Sequence, residues 1–261
     1  MPVFAANLSF LFTELPFLDR FDAAADAGFT AVEYMFPYEE DPEAVAARLV
    51  ANKLTCVLFN LPPGDWAAGE RGLAALPEAA TRLREGINNA LRHAEAAGTK
   101  RLHLMAGIAD RNDPKACHAY EEALVHTAGQ LEPKGITLLI EPINRRDMPG
   151  YFLDDFAYAA ALIERLHLPN LKLQFDIYHR QILHGDVAMA LRQLIPLIGH
   201  IQVASVPSRH EPVSEELNAA FLFDEIDRLG YDGFIGCEYR PRAGTREGLS
   251  WLTALTASKR D

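Results

Sequence analysis

Eight short strand-like runs alternate with eight longer helix-like runs along this chain, and that alternation limits the fold more than any single motif. The expected strands are Val3–Leu8, Ala31–Met35, Leu54–Leu61, Arg101–Met105, Ile136–Glu141, Leu171–Asp176, His200–Ala204 and Phe234–Glu238. The expected helices are Pro16–Ala27, Pro42–Asn52, Pro77–Ala97, Pro114–Glu132, Asp154–Leu166, Asp186–Leu194, Ala219–Leu229 and Arg246–Ala257. Gly28 and Gly98 close two of these helices, as helix-ending glycines do, and Asp154 can cap a third. Strand–helix repetition calls for a parallel sheet covered by helices. Eight units in 261 residues match the usual size of a closed α/β barrel, about 250 residues. The chain therefore reads as a (β/α)8 TIM barrel. No linker or composition break divides it, so residues 1–261 read as one domain. A doubly wound dinucleotide-binding sheet is disfavoured, because no Gly-x-Gly-x-x-Gly follows an early strand.

Charge and composition narrow the function. The 36 acidic residues outnumber the 25 basic ones, for a net charge of −11. No Lys/Arg run exceeds Arg145-Arg146, so no nucleic acid partner is expected. A small anionic substrate stays open, since local arginines override an average. The most apolar stretches, Ile136–Ile140 and Leu194–Ile201, fall far short of the roughly 20 residues of a membrane span, so no membrane partner is expected either. Met1–Phe12 has no Lys or Arg and does not read as a secretory signal. The three cysteines, Cys56, Cys117 and Cys237, are odd in number and spaced for neither a disulfide frame nor a zinc knuckle, which suits a reducing cytoplasm.

In such a barrel the chemistry lies at the C-terminal ends of the strands. Glu141 closes ITLLIE, Asp176 closes LKLQFD, Gln202 lies in HIQVA and Glu238 closes FIGCE. Successive members stand 35, 26 and 36 residues apart, each close to one βα unit of about 30 residues. Four side chains thus converge at one end of the barrel. Three carboxylates there repel one another unless a cation neutralises them. The oxygen-rich set favours Mg²⁺ or Mn²⁺, with Zn²⁺ or Co²⁺ also open. Any one of these acids alone is better explained as a cap on the following helix; four at unit spacing are not. His200 shares the face of Gln202 one layer lower and reads as a hydrogen-bonded barrel histidine. Gly236 leaves space below Glu238.

Further polar groups follow these strand ends: Asn144 and Asp147 in EPINRRD, His179 in FDIYH, and Arg209 and Glu211 in PSRHEP. Asn7 and Glu33 end the first two strands. Two glutamates beside a metal, with a His and an Arg to hold substrate oxygens, suit proton shuttling next to a carbonyl. Glu141 and Glu238 are the expected acid/base pair. The loop NLPPGDWAAGERG, Asn60–Gly72, reads as a lid or substrate wall. Trp66 can cover a small ligand there, and Glu70 and Arg71 can contact it or each other. Taken singly, each of these loop residues is as readily a solvated turn residue as a functional one.

NLPPGDWAAGERG, LLIEPINRRDMPGY, FDIYH, GHIQVA, PSRHEP and YDGFIGCEYRP together resemble the hydroxypyruvate isomerase family of the xylose isomerase-like barrels. The likeness runs from ANLSFLF to REGLSWL, nearly the whole chain. It implies a (β/α)8 barrel that interconverts hydroxypyruvate and tartronate semialdehyde. Sister sugar isomerases and epimerases use two glutamates with a divalent metal. Carried over by motif, the metal set falls on Glu141, Asp176, Gln202 and Glu238, the catalytic pair on Glu141 and Glu238, and substrate binding on His179 and Arg209. In the related ketose epimerases the strand-seven ligand is usually His; here it is Gln202. After RHEP the family pattern continues Gly-Thr-Gly-Glu-Ile-Asn-Tyr, whereas this chain has Val213-Ser214-Glu215-Glu216-Leu217-Asn218-Ala219. Loss of both glycines is expected to stiffen or reshape that loop.

The implied partner is a small hydroxy-oxo acid. Close relatives also isomerise 2-oxo four-carbon sugar acids, and association into a homo-oligomer stays open. A ketose 3-epimerase is a further alternative. From other classes, a metal-dependent endonuclease and a non-catalytic sugar-acid binder are the competing readings. The first needs many His ligands and a basic groove, and the second has no need of two opposed bases.

Overall fold

The computed structural model describes residues 2–213 and 215–252. Eight parallel strands close on themselves in chain order: β1 (Val3–Asn7), β2 (Ala31–Tyr34), β3 (Thr55–Asn60), β4 (Arg101–His103), β5 (Thr137–Ile140), β6 (Leu171–Asp176), β7 (Ile198–Val203) and β8 (Phe234–Cys237). β8 pairs with β1, so the sheet has no free edge. The expected (β/α)8 barrel is therefore the observed fold.

Alternation along the strands sorts the interior into layers. One interior layer is apolar and holds Ala5, Ala31, Val57, Leu58 and Leu139, with Phe234 packed against it. Two residues further along the strands come polar side chains. Lateral register brings Asn7 beside Glu33, Asp176 beside Gln202, and Gln202 beside Gly236. Two register shifts tune this arrangement. Between Val32 and Glu33 the partner strand β3 carries an extra residue, and between Leu173 and Gln174 the partner β7 does. Such bulges re-aim side chains near active sites, and each here immediately precedes a polar residue of the interior.

The covering helices begin where short acceptors can take the first free N–H groups. Asp41, Asp113, Asp155 and Asn218 each accept from a backbone N–H of the helix that follows. Prolines open two of these, Pro42–Asn52 and Pro114–Leu131, where a missing N–H costs nothing. The cap of Phe156–Leu166 is Asp155, not Asp154 as expected; Asp154 instead pairs with Arg111 and Arg145. An unexpected short helix, Ile177–His184, follows β6 directly, and Asp176 caps it. The expected helix Pro16–Ala27 is shorter, Asp19–Asp26. Of the expected Arg246–Ala257, a helix over Thr245–Gly248 is observed, while 253–257 lies outside the described residues. No helix among the described residues is long and apolar enough to cross a membrane.

Candidate active site

A cavity of about 420 Å³ opens at the C-terminal mouth of the barrel. Its floor is a hydrogen-bond network around Glu33, which is fully buried. Asn7 Nδ2 and Gln202 Nε2 both donate to Glu33 Oε1 at 2.8 Å, and His200 Nε2 lies 2.6 Å from Oε2. Gln174 Nε2 donates to Gln202 Oε1 at 2.6 Å. The space for this carboxylate is the side chain that Gly236 lacks: a Cβ there would stand 2.3 Å from both Glu33 oxygens. His200 is thus the hydrogen-bonded barrel histidine expected, and Gly236 does leave space, which Glu33 fills.

Above the floor the polar groups are under-satisfied. Glu141, just past β5, has Oε1 without a hydrogen-bond partner, and its Oε2 lies 3.8 Å from His103 Nδ1. Asp176 caps the helix that follows it and still keeps one carboxylate oxygen free of hydrogen bonds. Its Oδ1 caps the Tyr178 N–H at 2.8 Å, and its Oδ2 has no hydrogen bond but lies 3.5 Å from His179 Nε2 and 3.8 Å from Arg209 Nη2. Arg209 Nη2 donates to Glu238 Oε1 at 2.7 Å, and Nη1 reaches Asp147 at 3.2 Å. The guanidinium also lies over the rings of Phe10 and Tyr178. Both nitrogens of buried His103 lack partners.

Ligand atoms of Glu141, Asp176 and His179 lie within 4.8 Å of one another, a group able to hold a cation. The hydrogen-bond network separates the roles of its members. Asn144 Oδ1 accepts from the N–H groups of Arg146 and Asp147, both at 2.9 Å, which fixes its amide. Its NH₂ therefore faces His179 Nδ1, 2.7 Å away. Nδ1 is then the acceptor, and Nε2 carries the hydrogen. In that tautomer His179 is a hydrogen-bond donor into the site, not a ligand. The carboxylates are left as the cation-seeking groups.

The residue match that defines the family now has its geometry. The model of the xylose isomerase-like TIM barrel family matches residues 21–255. The chain belongs to the xylose isomerase-like TIM barrel family. Within it, a 2-oxo-tetronate isomerase of Cupriavidus necator is 55% identical over 97% of this chain and 98% of its own length. A hydroxypyruvate isomerase of Escherichia coli is 43% identical over 95% and 97%. A solved structure described as an AP endonuclease, family 2, of Brucella melitensis superposes with a TM-score of 0.95 at 47% identity, covering 97% of this chain and 99% of that one.

Burial sets the proton affinities of this xylose isomerase-like site. Burial first, and then the charges of Glu238 and Asp176, hold the Glu141 carboxyl well above the usual range. Burial raises Glu238 to about 8 against the opposing pull of Arg209. It raises Asp176 to about 6, again opposed by Arg209. His103 is pushed down to about 3 by burial and by nearby His200, so its ring is neutral. His179 is held well below its usual value by burial and by Arg209.

Most expected site residues converge. Glu141, Glu238, Gln202, His179, Arg209, Asp147, Trp66 and Arg71 border the cavity. Asp176 stands just behind them, and Asn144 holds His179. Glu211 does not join them. It turns away because its carboxylate accepts the Arg242 N–H at 3.0 Å and packs on Gly248. Gln202 is at the right level, but its amide is shared between Glu33 and Gln174. Glu70, expected at Arg71 or a ligand, is instead held by Arg82. Sequence reasoning missed His103 and Gln174. The strand-end rule applied to β4 gives His103, and the two-residue face rule applied below Asp176 gives Gln174. A larger space of about 730 Å³ lies between the helices Ala80–Ala97 and Pro114–Leu131 and includes none of these groups.

Proposed function

We propose that the protein is a divalent-metal-dependent aldose–ketose isomerase of a short hydroxy-oxo acid, interconverting hydroxypyruvate and tartronate semialdehyde. One observation carries the reading: Glu141 Oε1, in the cavity that also holds Glu238, and Asp176 Oδ2, just behind it, are buried without hydrogen bonds among the described residues. Buried polar atoms are rarely left so, and carboxylate oxygens so placed suit a hard dication. Glu141, Asp176 and Glu238 would hold it, with the free lone pair of Gln202 Oε1 as a fourth oxygen. Mg²⁺ or Mn²⁺ fits this set best, and Zn²⁺ or Co²⁺ can also occupy it. When bound, the ion polarises the substrate carbonyl and offsets the negative charge that grows on its oxygen.

The chain's own groups then move the protons. One of the pair Glu141 and Glu238 takes a proton from the hydroxymethyl carbon beside the carbonyl. The released electron pair forms the enediolate. The proton returns to the former carbonyl carbon, and transfer of the terminal hydroxyl proton to the former carbonyl oxygen leaves an aldehyde at one carbon and a hydroxyl at the other. Atoms and electrons balance without a co-reactant. Raised proton affinities suit carboxylates for this task. His179 Nε2–H donates to a substrate oxygen, and Arg209 keeps Glu238 and Asp147 in place.

The hydroxypyruvate and 2-oxo-tetronate isomerases among the relatives support a sugar-acid isomerase. A four-carbon 2-oxo acid is a second reading, favoured by the 55% identical relative and by a cavity of about 420 Å³. Ketose epimerisation is the lesser alternative. The described nuclease relative makes an abasic duplex a useful control, although an acidic cavity suits it poorly. Three free cysteines suit the cytoplasm, and the reaction would serve glyoxylate metabolism. The test is a turnover screen of three- and four-carbon hydroxy-oxo acids after chelation and return of Mg²⁺, Mn²⁺, Co²⁺ or Zn²⁺. Restored isomerisation by at least one ion is expected. No turnover of any acid with any ion would end the reading.

A further inference from the structure

Three arginines border the cavity, and among the described residues only one of them has an acidic partner. Arg209 is committed to Glu238 and Asp147. Arg71 and Arg240 form no ion pair among the described residues, although both line the same mouth. Arg71 is the better held of the two. Its guanidinium carbon lies 4.0 Å from the centre of the Trp66 ring, and that ring in turn lies 5.2 Å from Phe36. Its Nη1 donates to the Glu70 carbonyl at 2.7 Å and the Trp66 carbonyl at 3.0 Å. Nε and Nη2 have no acceptor among the described residues.

Both sequence neighbours of Arg71 are pinned. Glu70 takes two hydrogen bonds from Arg82, at 2.7 and 2.8 Å, and also accepts from the Asp65 N–H. Gly72, with φ of +115°, bridges to Ala106, and a Cβ there would stand 2.4 Å from the Met105 carbonyl oxygen. The loop therefore cannot swing Arg71 aside without breaking contacts on both sides. A fixed, unneutralised fork at the mouth of a cavity is a preorganised anion site. Its planar donors match a carboxylate better than a hydroxyl.

We propose that Arg71, assisted by Arg240, is the carboxylate subsite, and that Arg209 is not. This rests on the isomerase reading of the same cavity and extends it to substrate selection. The acid end of the substrate sits at the Trp66–Arg71 wall while its hydroxyl and carbonyl carbons reach down to Glu141 and Glu238. The protein thereby selects hydroxy-oxo acids over neutral sugars of equal length.

Calorimetry with glycerate and glycerol, which differ by the carboxylate, tests the subsite directly. The wild type is expected to bind glycerate well above glycerol. Arg71→Gln should weaken glycerate binding about 10–100-fold, with Arg71→Lys recovering part of it and Arg240→Gln losing less. The KM for hydroxypyruvate should rise in Arg71→Gln by more than kcat falls. Thermal unfolding checks that each variant is folded, and Arg71→Lys keeps the test open if Arg71→Gln is not. Equal glycerate affinity in wild type and variants, or no preference for glycerate in the wild type, overturns the subsite. Arg71-dependent glycerate binding without turnover of any acid would keep the subsite and remove the isomerase. Normal turnover with an unchanged KM in Arg71→Gln would do the reverse.

Discussion

The floor of the cavity and its rim are built from the same kinds of residue, yet they differ in how completely their carboxylates are bonded. On the floor Glu33 meets three donors, from Asn7, Gln202 and His200. At the rim, Glu141 and Asp176 each keep a buried oxygen without a hydrogen bond, and both nitrogens of His103 lack one too. A saturated carboxylate is a piece of architecture, even though His200 Nδ1 and Gln174 Oε1 beside it have no hydrogen-bond partner. An unsaturated one of equal burial costs stability on its own and is explained by what it receives. Burial and residue type alone do not separate the two; the bonding state does.

The largest effect should come from the rim. Glu141→Gln or Glu238→Gln should lower turnover about 10²–10⁴-fold while the melting temperature of chelated protein stays level or rises, because a buried amide needs no proton to stay neutral. Wild-type-like rates in either variant would erase the distinction between rim and floor. On the floor the order of effects reverses. Glu33→Ala should cost about 3–5 kcal/mol in denaturant unfolding, since three buried donors lose their acceptor. A small loss there would mean that water or a neighbouring side chain replaces the carboxylate.

Between the two lies Asn144, which touches no substrate in this scheme but sets the His179 tautomer. Asn144→Ala should lower kcat by roughly tenfold, in line with the loss of one charge-free hydrogen bond, with unfolding little changed. An Asn144→Ser variant that keeps a donor should recover part of it.

The smallest effect is in pH. Asp176, at about 6, and Glu238, at about 8, bind a proton more tightly folded than unfolded. Their contribution to metal-free stability is therefore complete below about pH 4. It is lost as pH rises through 6 and then 8. Chelated protein should melt at a lower temperature at pH 8.5 than at pH 5.5, and Mg²⁺ or Mn²⁺ should shrink that difference. A flat chelated profile would show that the rim carboxyls are solvated.

Much of this was legible in the chain itself. Strand-end positions follow from a two-residue period, so Glu141, Asp176, Gln202 and Glu238 could be placed on successive strands without coordinates. His200 and Gly236 were legible by the same period. The period says nothing of which end of an amide is free, so the sharing of Gln202 between Glu33 and Gln174 stayed hidden. Loops obey no period at all. Glu211 and Arg209 sit two residues apart in PSRHEP, yet one turns toward Arg242 and Gly248 and the other reaches Glu238. A left-handed Arg209, with φ of +57°, separates their directions. The helix Ile177–His184 is hard to see in the sequence because eight residues directly after a strand are too few for a helical pattern to stand out.

Gly236 and Glu33 stand more than two hundred positions apart in the chain, yet they share a single volume. In descendants of this sequence the two should change together or stay as they are. A methyl group gained at one is tolerable only after the acid at the other has been shortened, so an isolated change at either position marks a lineage under repair.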